Sequence, residues 1–326
     1  MRMKKGYQHL GPEERERINL YRAEGKSLRE IGRLLGRSDA TIGRELRRNA
    51  APVQKGRYLA HKAQERYQER QSQAHSRPRL KTEAIRTAVT EMLKERLSPE
   101  LIAGRLPLDH KGASISHEAI YQWIYREARD HIADLTYAHK RRKRKGQGKR
   151  HKTSHIPNRT GIEERPKIVE KRKEMGHWEA DTAVSQQSLA ALNVVVERKT
   201  RYTCLEKVER KTAEACSKAI RKALRKWPED WTQSVTYDNG SENVMHETVN
   251  QEVGTVSYFC QPYHSWEKGT VENTIGIIRR LWPKKTDFAS LSINDVNLME
   301  TWLNNRPRKC LGFRTPIEAC LDECCT

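Results

Sequence analysis

The chain has 326 residues, with 63 Lys or Arg against 42 Asp or Glu, and its formal net charge at pH 7 is +21. Residues 1–150 hold 36 basic and 18 acidic side chains, whereas residues 151–326 hold 27 basic and 24 acidic ones. This asymmetry favours a half that binds nucleic acid, joined to a nearly neutral half that could contain an active site. The alternative is a protein whose basic helices are simply solvated. No apolar run reaches 18 residues and no apolar core follows the basic start, which argues against a membrane span and a signal peptide.

Residues 1–55 are predicted to form a helix-turn-helix unit. A charged helix over residues 12–24 is followed by the capping box Ser27–Glu30 of a second helix, and Ser38 caps a third. In this motif the second of the paired helices normally enters the major groove of DNA. The basic exposed face and the small Gly32 at the helix crossing favour DNA binding over another kind of three-helix bundle.

The two faces of these helices give specific candidates. The side chains predicted to face inward are Ile18, Leu20, Tyr21, Leu28, Ile31, Leu34, Leu35, Ile42 and Leu46. The polar side chains left outward are Arg37, Asp39, Thr41, Arg44, Arg47 and Arg48. We expect Thr41 and Arg44 to reach base edges, and Arg47 and Arg48 to contact phosphates, with Arg37 as a further DNA contact.

A second helix-turn-helix-like unit is predicted over residues 83–137, after a polar connecting helix within residues 56–82. Its helices run from residue 85 to 96, from the Ser98 cap to about residue 105, and onward from the Ser116 cap. The inward side chains are Ala88, Val89, Met92, Leu93, Ile120, Trp123 and Ile124, and those facing DNA are His117, Gln122 and Arg126. The aromatic density leaves a packing or dimerisation module open as an alternative.

Residues 138–165 are predicted to be a basic linker. Nine of the thirteen residues from 140 to 152 are Lys or Arg, so the segment cannot build a core and repels itself into an extended chain. The predicted phosphate contacts are Lys140, Arg141, Arg142, Lys143, Arg144 and Lys145. A solvated spacer would have the same composition.

Residues 166–326 are predicted to form an α/β domain with a mixed sheet. The predicted strands cover residues 177–184, 189–197, 202–208, 234–238 and 254–260, and a helix covers residues 212–227. A helix between the last two strands and a final helical region complete the domain. The whole chain is therefore expected to be multidomain, with all-α units followed by this α/β domain.

Three carboxylates of this domain indicate chemistry. Asp181 lies within the first strand, Asp238 ends a later strand, and Glu272 lies in a helix after 33 intervening residues. Each alone has an ordinary structural explanation, but gathered at one point they form the oxygen-rich site that Mg²⁺ or Mn²⁺ prefers. Two such ions can activate water and stabilise the leaving oxygen in phosphodiester cleavage. Glu179 and Glu242 are alternative candidates for metal ligands. Glu179 shares a strand face with Asp181, and we expect it at most to contact the ligands without binding metal itself.

The helix that carries Glu272 gives further detail. Its predicted core stripe is Val271, Ile275, Ile278 and Trp282. Gly276 leaves one turn bare, so a DNA backbone could approach closely. Arg279, two turns after Glu272, is placed to hold a phosphate near the metal ions, although a solvated arginine would also fit.

The cysteines indicate the redox compartment of the protein. All seven lie after residue 200 and their number is odd, which is unlike a secreted disulfide scaffold. Cys310, Cys320, Cys324 and Cys325 crowd the tail, but they lack the paired spacing of a zinc site. We expect free thiols in a reducing cytoplasm.

Taken together, these motifs resemble the bacterial insertion-sequence transposases of the DDE superfamily, specifically the insertion-sequence-thirty family. The resemblance covers nearly the whole chain. It includes the early helix-turn-helix, LSPELIAGRL with ISHEAIYQWIY, GHWEADT, YDNGSE, YFCQPYHSWEKGTVENTIGIIRR and NNRPRKCLGFRTPIEA. The family often has Gly at the position of Ala180 and Asn at that of Ile275; both positions only flank the carboxylates.

The resemblance implies an RNase H-like catalytic domain with Asp181, Asp238 and Glu272 as its metal-binding triad and two Mg²⁺ or Mn²⁺ ions per active site. It also implies hydrolysis at the ends of the element, followed by attack of the freed 3′-OH on target DNA. The expected partner is double-stranded DNA, as terminal repeats and target, bound by a homodimer or higher oligomer at the bacterial nucleoid. A non-catalytic repressor descended from a transposase, and a nuclease that cuts without joining, remain alternatives.

Overall fold

The computed structural model describes residues 9–49, 58–75, 79–80, 82–135, 156–262 and 264–325. The chain divides into two compact units, residues 1–79 and 80–326, and each has its own hydrophobic core. The finer division predicted at residues 55, 82, 137 and 165 stays a prediction. The six basic linker residues from Lys140 to Lys145 lie outside the described residues. None of the helices in the described ranges is long and apolar enough to cross a membrane.

The first unit is helical. Its helices are α1 (Pro12–Ala23), α2 (Leu28–Leu35), α3 (Asp39–Asn49) and α4 (Ala60–His75). The capping box Ser27–Glu30 opens α2, and the Ser38 hydroxyl accepts the Thr41 N–H at the start of α3. Ile18, Ile31 and Ile42, one from each of the first three helices, are fully buried at the centre. The predicted helix-turn-helix is confirmed.

The core of this unit is narrower than predicted. Gly32 lets α2 pack tightly on the next turn, because an added Cβ would lie 2.8 Å from the Arg37 carbonyl oxygen. However, Leu20, Leu28 and Leu34 are 56%, 37% and 53% exposed, so their predicted inward orientation is wrong. The physical reason is that short helices meeting around single isoleucines bury only a narrow face of each, and the flanking leucines stay at the surface.

The second unit begins with α5 (Glu83–Lys94), α6 (Pro99–Asp109) and α7 (His117–Arg126). Ser98 and Ser116 cap α6 and α7 as predicted. The core side chains that are fully buried are Val89, Leu93, Ile102, Leu106, Ile120 and Ile124. The predicted end of α6 near residue 105 is wrong, since the helix continues through Pro107. Burial of Leu106 and the Arg105–Asp109 ion pair stabilise its last turn.

The α/β part comprises α8 (Lys167–Lys171), β1 (His177–Val184), β2 (Ala191–Glu197), β3 (Thr203–Val208), α9 (Ala213–Leu224), β4 (Ser234–Tyr237), α10 (His246–Val253), β5 (Val256–Phe259), α11 (Gly269–Leu281), α12 (Ile293–Asn304) and α13 (Pro316–Cys324). Its strands form one sheet in the order β3-β2-β1-β4-β5. The β1–β2 and β2–β3 pairs are antiparallel, and the β1–β4 and β4–β5 pairs are parallel. The predicted mixed sheet is confirmed.

Helices cover both faces of this sheet. On one face, Val194 and Val196 of β2 belong to a core cluster with Val271 and Ile278 of α11. On the other face, Val195 packs in a cluster with residues of α9 and α10. Every residue of β2 is consequently buried, as expected of a strand that is covered on two sides.

The register of β1 against β4 positions the two predicted aspartates. Glu179 pairs with Thr236 in the parallel ladder. Asp181 lies two residues beyond Glu179, and Asp238 lies two residues beyond Thr236. Because the strands are parallel neighbours, both aspartates lie toward the C-terminal side of this strand pair.

The edge strand β3 is covered by α12. The Asn304 amide accepts the Thr203 N–H and donates to the Thr203 carbonyl, each at 2.8 Å. The Glu300 carboxylate accepts the Leu205 N–H at 2.6 Å. These side chains use the backbone groups that an edge strand otherwise offers to another chain.

The helical and α/β parts of the second unit meet through α6 and α13. The Arg105 guanidinium donates two hydrogen bonds of 2.7 Å to Glu318, a bidentate geometry that fixes orientation. Beside it, the backbone of Gly104 lies against the Phe313 ring, where an added Cβ would be 2.3 Å from the nearest ring atom. A larger residue at this contact would force the Phe313 ring to shift.

Gly104→Ala should destabilise the protein by about 1–3 kcal/mol, because the added methyl group overpacks the contact with Phe313. Gly276→Ala is the matched control, since its Cβ would meet nothing within 4 Å and alanine favours a helix by up to about 1 kcal/mol. Urea unfolding of both variants checks the prediction. If both substitutions stabilised the protein equally, the α6–α13 contact would be absent in solution.

Candidate active site

Two of the three predicted carboxylates converge on one lysine. Oδ2 of Asp181 lies 3.1 Å from the Lys268 ammonium, and Oδ2 of Asp238 lies 3.0 Å from it. The Lys268 side chain is 5% exposed, against 20% for Asp181 and 39% for Asp238. The two carboxylates thus hold a single cation between them, beside the second half of β1 and the end of β4.

The other oxygen of each aspartate is held by hydrogen bonds from residues that follow it closely in the chain. Oδ1 of Asp181 accepts the Thr182 N–H at 2.8 Å. Oδ1 of Asp238 accepts the Gly240 N–H at 3.1 Å and the Asn243 amide at 2.8 Å. These bonds set the orientation of both carboxyl groups, so that Oδ2 of each one is directed at the shared cation.

The electrostatics of the pair are unequal. Burial raises the pKa of Asp181, although Lys268 opposes the effect. Burial also acts to raise the pKa of Asp238, but Lys268 and the Gly240 N–H outweigh it and lower the pKa on balance. Burial lowers the pKa of Lys268, yet the two aspartates raise it further than that. Asp238 is consequently the more firmly ionised partner of a lysine that stays charged.

Lys268 was not among the candidates that the sequence offered. It ends a 3₁₀ turn over Ser265–Lys268, directly before α11. The only local signal is its place immediately before the helix with the third predicted carboxylate. Its role arises because this turn meets the ends of two strands that are distant in sequence.

Glu179 has the supporting place that was predicted. Its carboxylate is fully buried and accepts the N–H groups of Thr270 and Val271, the first turn of α11, at 2.9 and 3.0 Å. Arg198 forms an ion pair with it at 3.2 Å. The carboxylate thus fixes the start of α11 to β1 at a favourable place for negative charge. The other alternative candidate, Glu242, is buried and paired with Lys211 at 2.6 Å.

Glu272 is not gathered with the aspartates. It lies in the first turn of α11 with an exposed side chain, and the described residues contain no group of three or more His, Cys, Asp or Glu side chains arranged to hold a metal ion. Its role as third ligand therefore stays a prediction. Gly276 is exposed, as predicted. The Arg279 guanidinium donates to the Val184 carbonyl at 2.6 Å and lies over the Phe288 ring, so it is held at the end of β1.

The donor set fits a divalent cation. Asp181 and Asp238 offer only carboxylate oxygen, which Mg²⁺ and Mn²⁺ prefer to nitrogen or sulfur. The ammonium between them shows that the two groups form a cation site.

In the helix-turn-helix unit, the predicted outward face is confirmed for part of its residues. Arg44, Arg47 and Arg48 of α3 are exposed, and Thr41 is half-buried. Arg37 is half-buried, and the DNA contact predicted for it stays a prediction. Its Nε donates to Glu14 of α1 at 2.8 Å and its side chain is 25% exposed, because the turn before α3 brings it against that helix.

In the predicted second helix-turn-helix-like unit, the inward face of α7 is confirmed, with Ile120, Trp123 and Ile124 buried. His117 and Arg126 are exposed, whereas Gln122 is half-buried and donates to Glu118 at 2.9 Å.

All the cysteines are free thiols, as predicted.

Comparison with known proteins adds independent findings. Residues 6–49 match a helix-turn-helix domain family, and residues 171–265 match the integrase core domain family. The chain is 36% identical over 312 residues to the transposase for insertion sequence element IS4351 of Bacteroides fragilis, covering 95% of this chain and 94% of that protein. It is 34% identical over 321 residues to the transposase for IS1086 of Cupriavidus metallidurans, covering 96% and 94%. It is 34% identical over 327 residues to transposase InsI for IS30A of Escherichia coli K12, covering 97% and 84%.

Proposed function

The chain belongs to the insertion-sequence-thirty family of transposases, and we propose that it binds the terminal inverted repeats of its own element, cuts the DNA there and joins the freed 3′-OH to target DNA. The observation that carries this proposal is the convergence of Asp181 and Asp238 on one cation at the ends of adjacent parallel strands. Such strand ends are where α/β sheets present their chemistry.

In this proposal Asp181, Asp238 and Glu272 hold the metal ions. When bound, two divalent ions would activate the attacking water or 3′-OH and stabilise the leaving oxygen of the phosphodiester. The backbone hydrogen bonds from Thr182 and Gly240 keep one oxygen of each aspartate in place, so the other is presented without reorganisation. Glu179 anchors the first turn of α11, and thereby limits where Glu272 can reach.

The helical parts supply DNA binding in this proposal. Exposed Arg44, Arg47 and Arg48 of α3 form the face that reads the terminal repeat, and exposed His117 and Arg126 of α7 form a second face. The basic linker adds affinity without sequence choice. The protein acts on double-stranded DNA as a homodimer or higher oligomer, since the two ends of an element must be brought together.

Incubation of the protein with its element ends, Mg²⁺ and a target plasmid tests the proposal. We expect end-cut and joined products, and none when EDTA replaces Mg²⁺. Cut products that never join to the plasmid would identify a nuclease instead. Binding of the ends without any cut product would identify a repressor.

Arg44→Ala should reduce the preference for the element end over unrelated DNA by about tenfold or more, because one good base contact contributes about 1–3 kcal/mol of discrimination. Arg48→Ala is the contrast, and should weaken binding to both DNAs alike. Competition binding at one fixed salt concentration measures both. Equal loss of preference in the two variants would contradict the assignment of bases to Arg44.

A further inference from the structure

A cavity of about 350 Å³ opens beside the first turns of α11. Arg172 after α8, Arg201 between β2 and β3, and Arg308 between α12 and α13 line it. The helix contributes the hydroxyl and amide side chains of Thr270, Asn273 and Thr274. None of the lining residues in the described part of the chain is acidic. We call this space the arginine cavity.

The three guanidinium groups are poorly paired. Arg308 is 7% exposed; its Nη2 donates to the Leu303 carbonyl at 3.4 Å, but its Nε has no hydrogen-bond partner among the described residues. Arg201 donates to the Thr270 hydroxyl at 2.8 Å, but its buried Nε is likewise unpartnered within the described chain. Arg172 lines the cavity with an exposed side chain. Arg308 is buried, Arg201 is half-buried and Arg172 is exposed. A buried charge without a full set of partners is costly, so Arg308 in particular calls for an anion.

The arginines also repel one another. Burial lowers the pKa of Arg308 to about 10, and the positive charges of Arg201 and Arg280 lower it as well. Burial lowers the pKa of Arg172, and Arg201 and Arg198 add to the effect. An anion between the guanidinium groups would raise the pKa of these arginines, against the effects of burial and of the neighbouring positive charges.

We infer that the arginine cavity is an oxyanion site that takes a phosphate group of DNA. Guanidinium forks bind tetrahedral oxyanions through paired N–H groups, and the Thr and Asn side chains add neutral donors. One water occupies about 30 Å³ of liquid, so the cavity holds a phosphate together with several waters. The α11 backbone is not the binding group, because Glu179 accepts the Thr270 and Val271 N–H groups.

The identification of the ligand as DNA rests on the proposed function, whereas the oxyanion chemistry does not. Asn273 lines the cavity directly after Glu272 in the chain. A phosphate bound here would fix a DNA strand beside the helix that carries the third predicted carboxylate. The cavity is therefore a positioning site for the strand.

The first arm of the test is thermal unfolding of the full chain in inorganic phosphate, compared with chloride at equal ionic strength. Phosphate should raise the Tm of the wild-type protein by several degrees. Arg172→Gln and Arg201→Gln should remove most of this rise, and the exposed Lys218→Gln of α9, with the same charge change, should keep it. Without phosphate, Arg172→Gln should unfold at or above the wild-type temperature, since one repelling charge is gone. A lower Tm in chloride with an unchanged phosphate effect would show a merely structural arginine and overturn the site.

The second arm is the salt dependence of binding to duplex DNA by the full chain. The log–log salt slope should become shallower by roughly 0.9 in Arg201→Gln, for one lost phosphate contact, and stay unchanged in Lys218→Gln. A phosphate-dependent Tm with an unchanged slope would overturn DNA as the ligand and leave a site for free phosphate. Neither arm measures cleavage, so a chain that shows both effects but cuts no DNA would refute the proposed function and retain this site.

Discussion

Asp181→Asn, Asp238→Asn and Glu272→Gln should each reduce strand cleavage in Mg²⁺ by more than about 100-fold. This is more than the loss of a residue that only hydrogen-bonds to a metal ligand costs. Each substitution removes the charge of a proposed metal ligand and changes the side-chain volume little. Binding of the element ends should stay nearly unchanged, because the proposed DNA-reading faces lie elsewhere. Gel assays of cleavage and of end binding measure the two effects separately.

Glu209→Gln is the matched control, as its carboxylate is 85% exposed and should tolerate the change. The Glu272 arm is the most informative, because that side chain is not gathered with the two aspartates. Substantial cleavage by Glu272→Gln would exclude it as a ligand and leave a two-aspartate site. Loss of cleavage would mean that α11 delivers it when metal and DNA are bound.

Lys268→Met should destabilise the metal-free protein, but by less than the about 3–5 kcal/mol that breaking a fully buried ion pair costs, because Asp238 is 39% exposed. Without the ammonium, Asp181 and Asp238 face each other with no cation between them. A divalent ion supplies the missing charge, so Mg²⁺ should raise the Tm of the variant far more than that of the wild-type protein. Thermal unfolding in EDTA and in Mg²⁺ measures both effects.

Lys222→Met is the control for this comparison. It also removes an ion pair, with Glu206, but its side chain is 64% exposed, and such pairs contribute about 1 kcal/mol or less. Its Tm should change little and should not depend on Mg²⁺ more than the wild-type value does. If Lys268→Met unfolded at the wild-type temperature in EDTA, the ammonium would not bridge the aspartates in solution.

Much of the fold was predictable because its signals are local. The caps at Ser27, Ser98 and Ser116 mark helix starts by the identity of one residue. Strand periodicity locates Asp181 within one strand and Asp238 at the end of another. The α/β pattern predicted a mixed sheet, but not the parallel β1–β4 pairing by which these two side chains meet.

Long-range pairings could not be predicted in the same way. Arg37 looks like a surface residue until Glu14, on another helix, is packed against it. Lys268 acquires its partners only when two strands and a turn converge. The arginine cavity likewise combines Arg172, Arg201 and Arg308 from three separate connections. Charge alone shows that such groups exist, but only the packed fold shows which of them lack a counter-ion.

The division of the chain at residue 79 also orders events in time. Domains generally fold as units during synthesis, the N-terminal one first, at about 5–20 residues per second. Residues 80–326 then need on the order of 10–50 s to follow the first unit out of the ribosome. During that interval the helix-turn-helix can fold and contact DNA, while β1 has no β4 beside it and the aspartate pair does not exist. On the proposed function, a nascent chain would therefore bind DNA well before it could cut it.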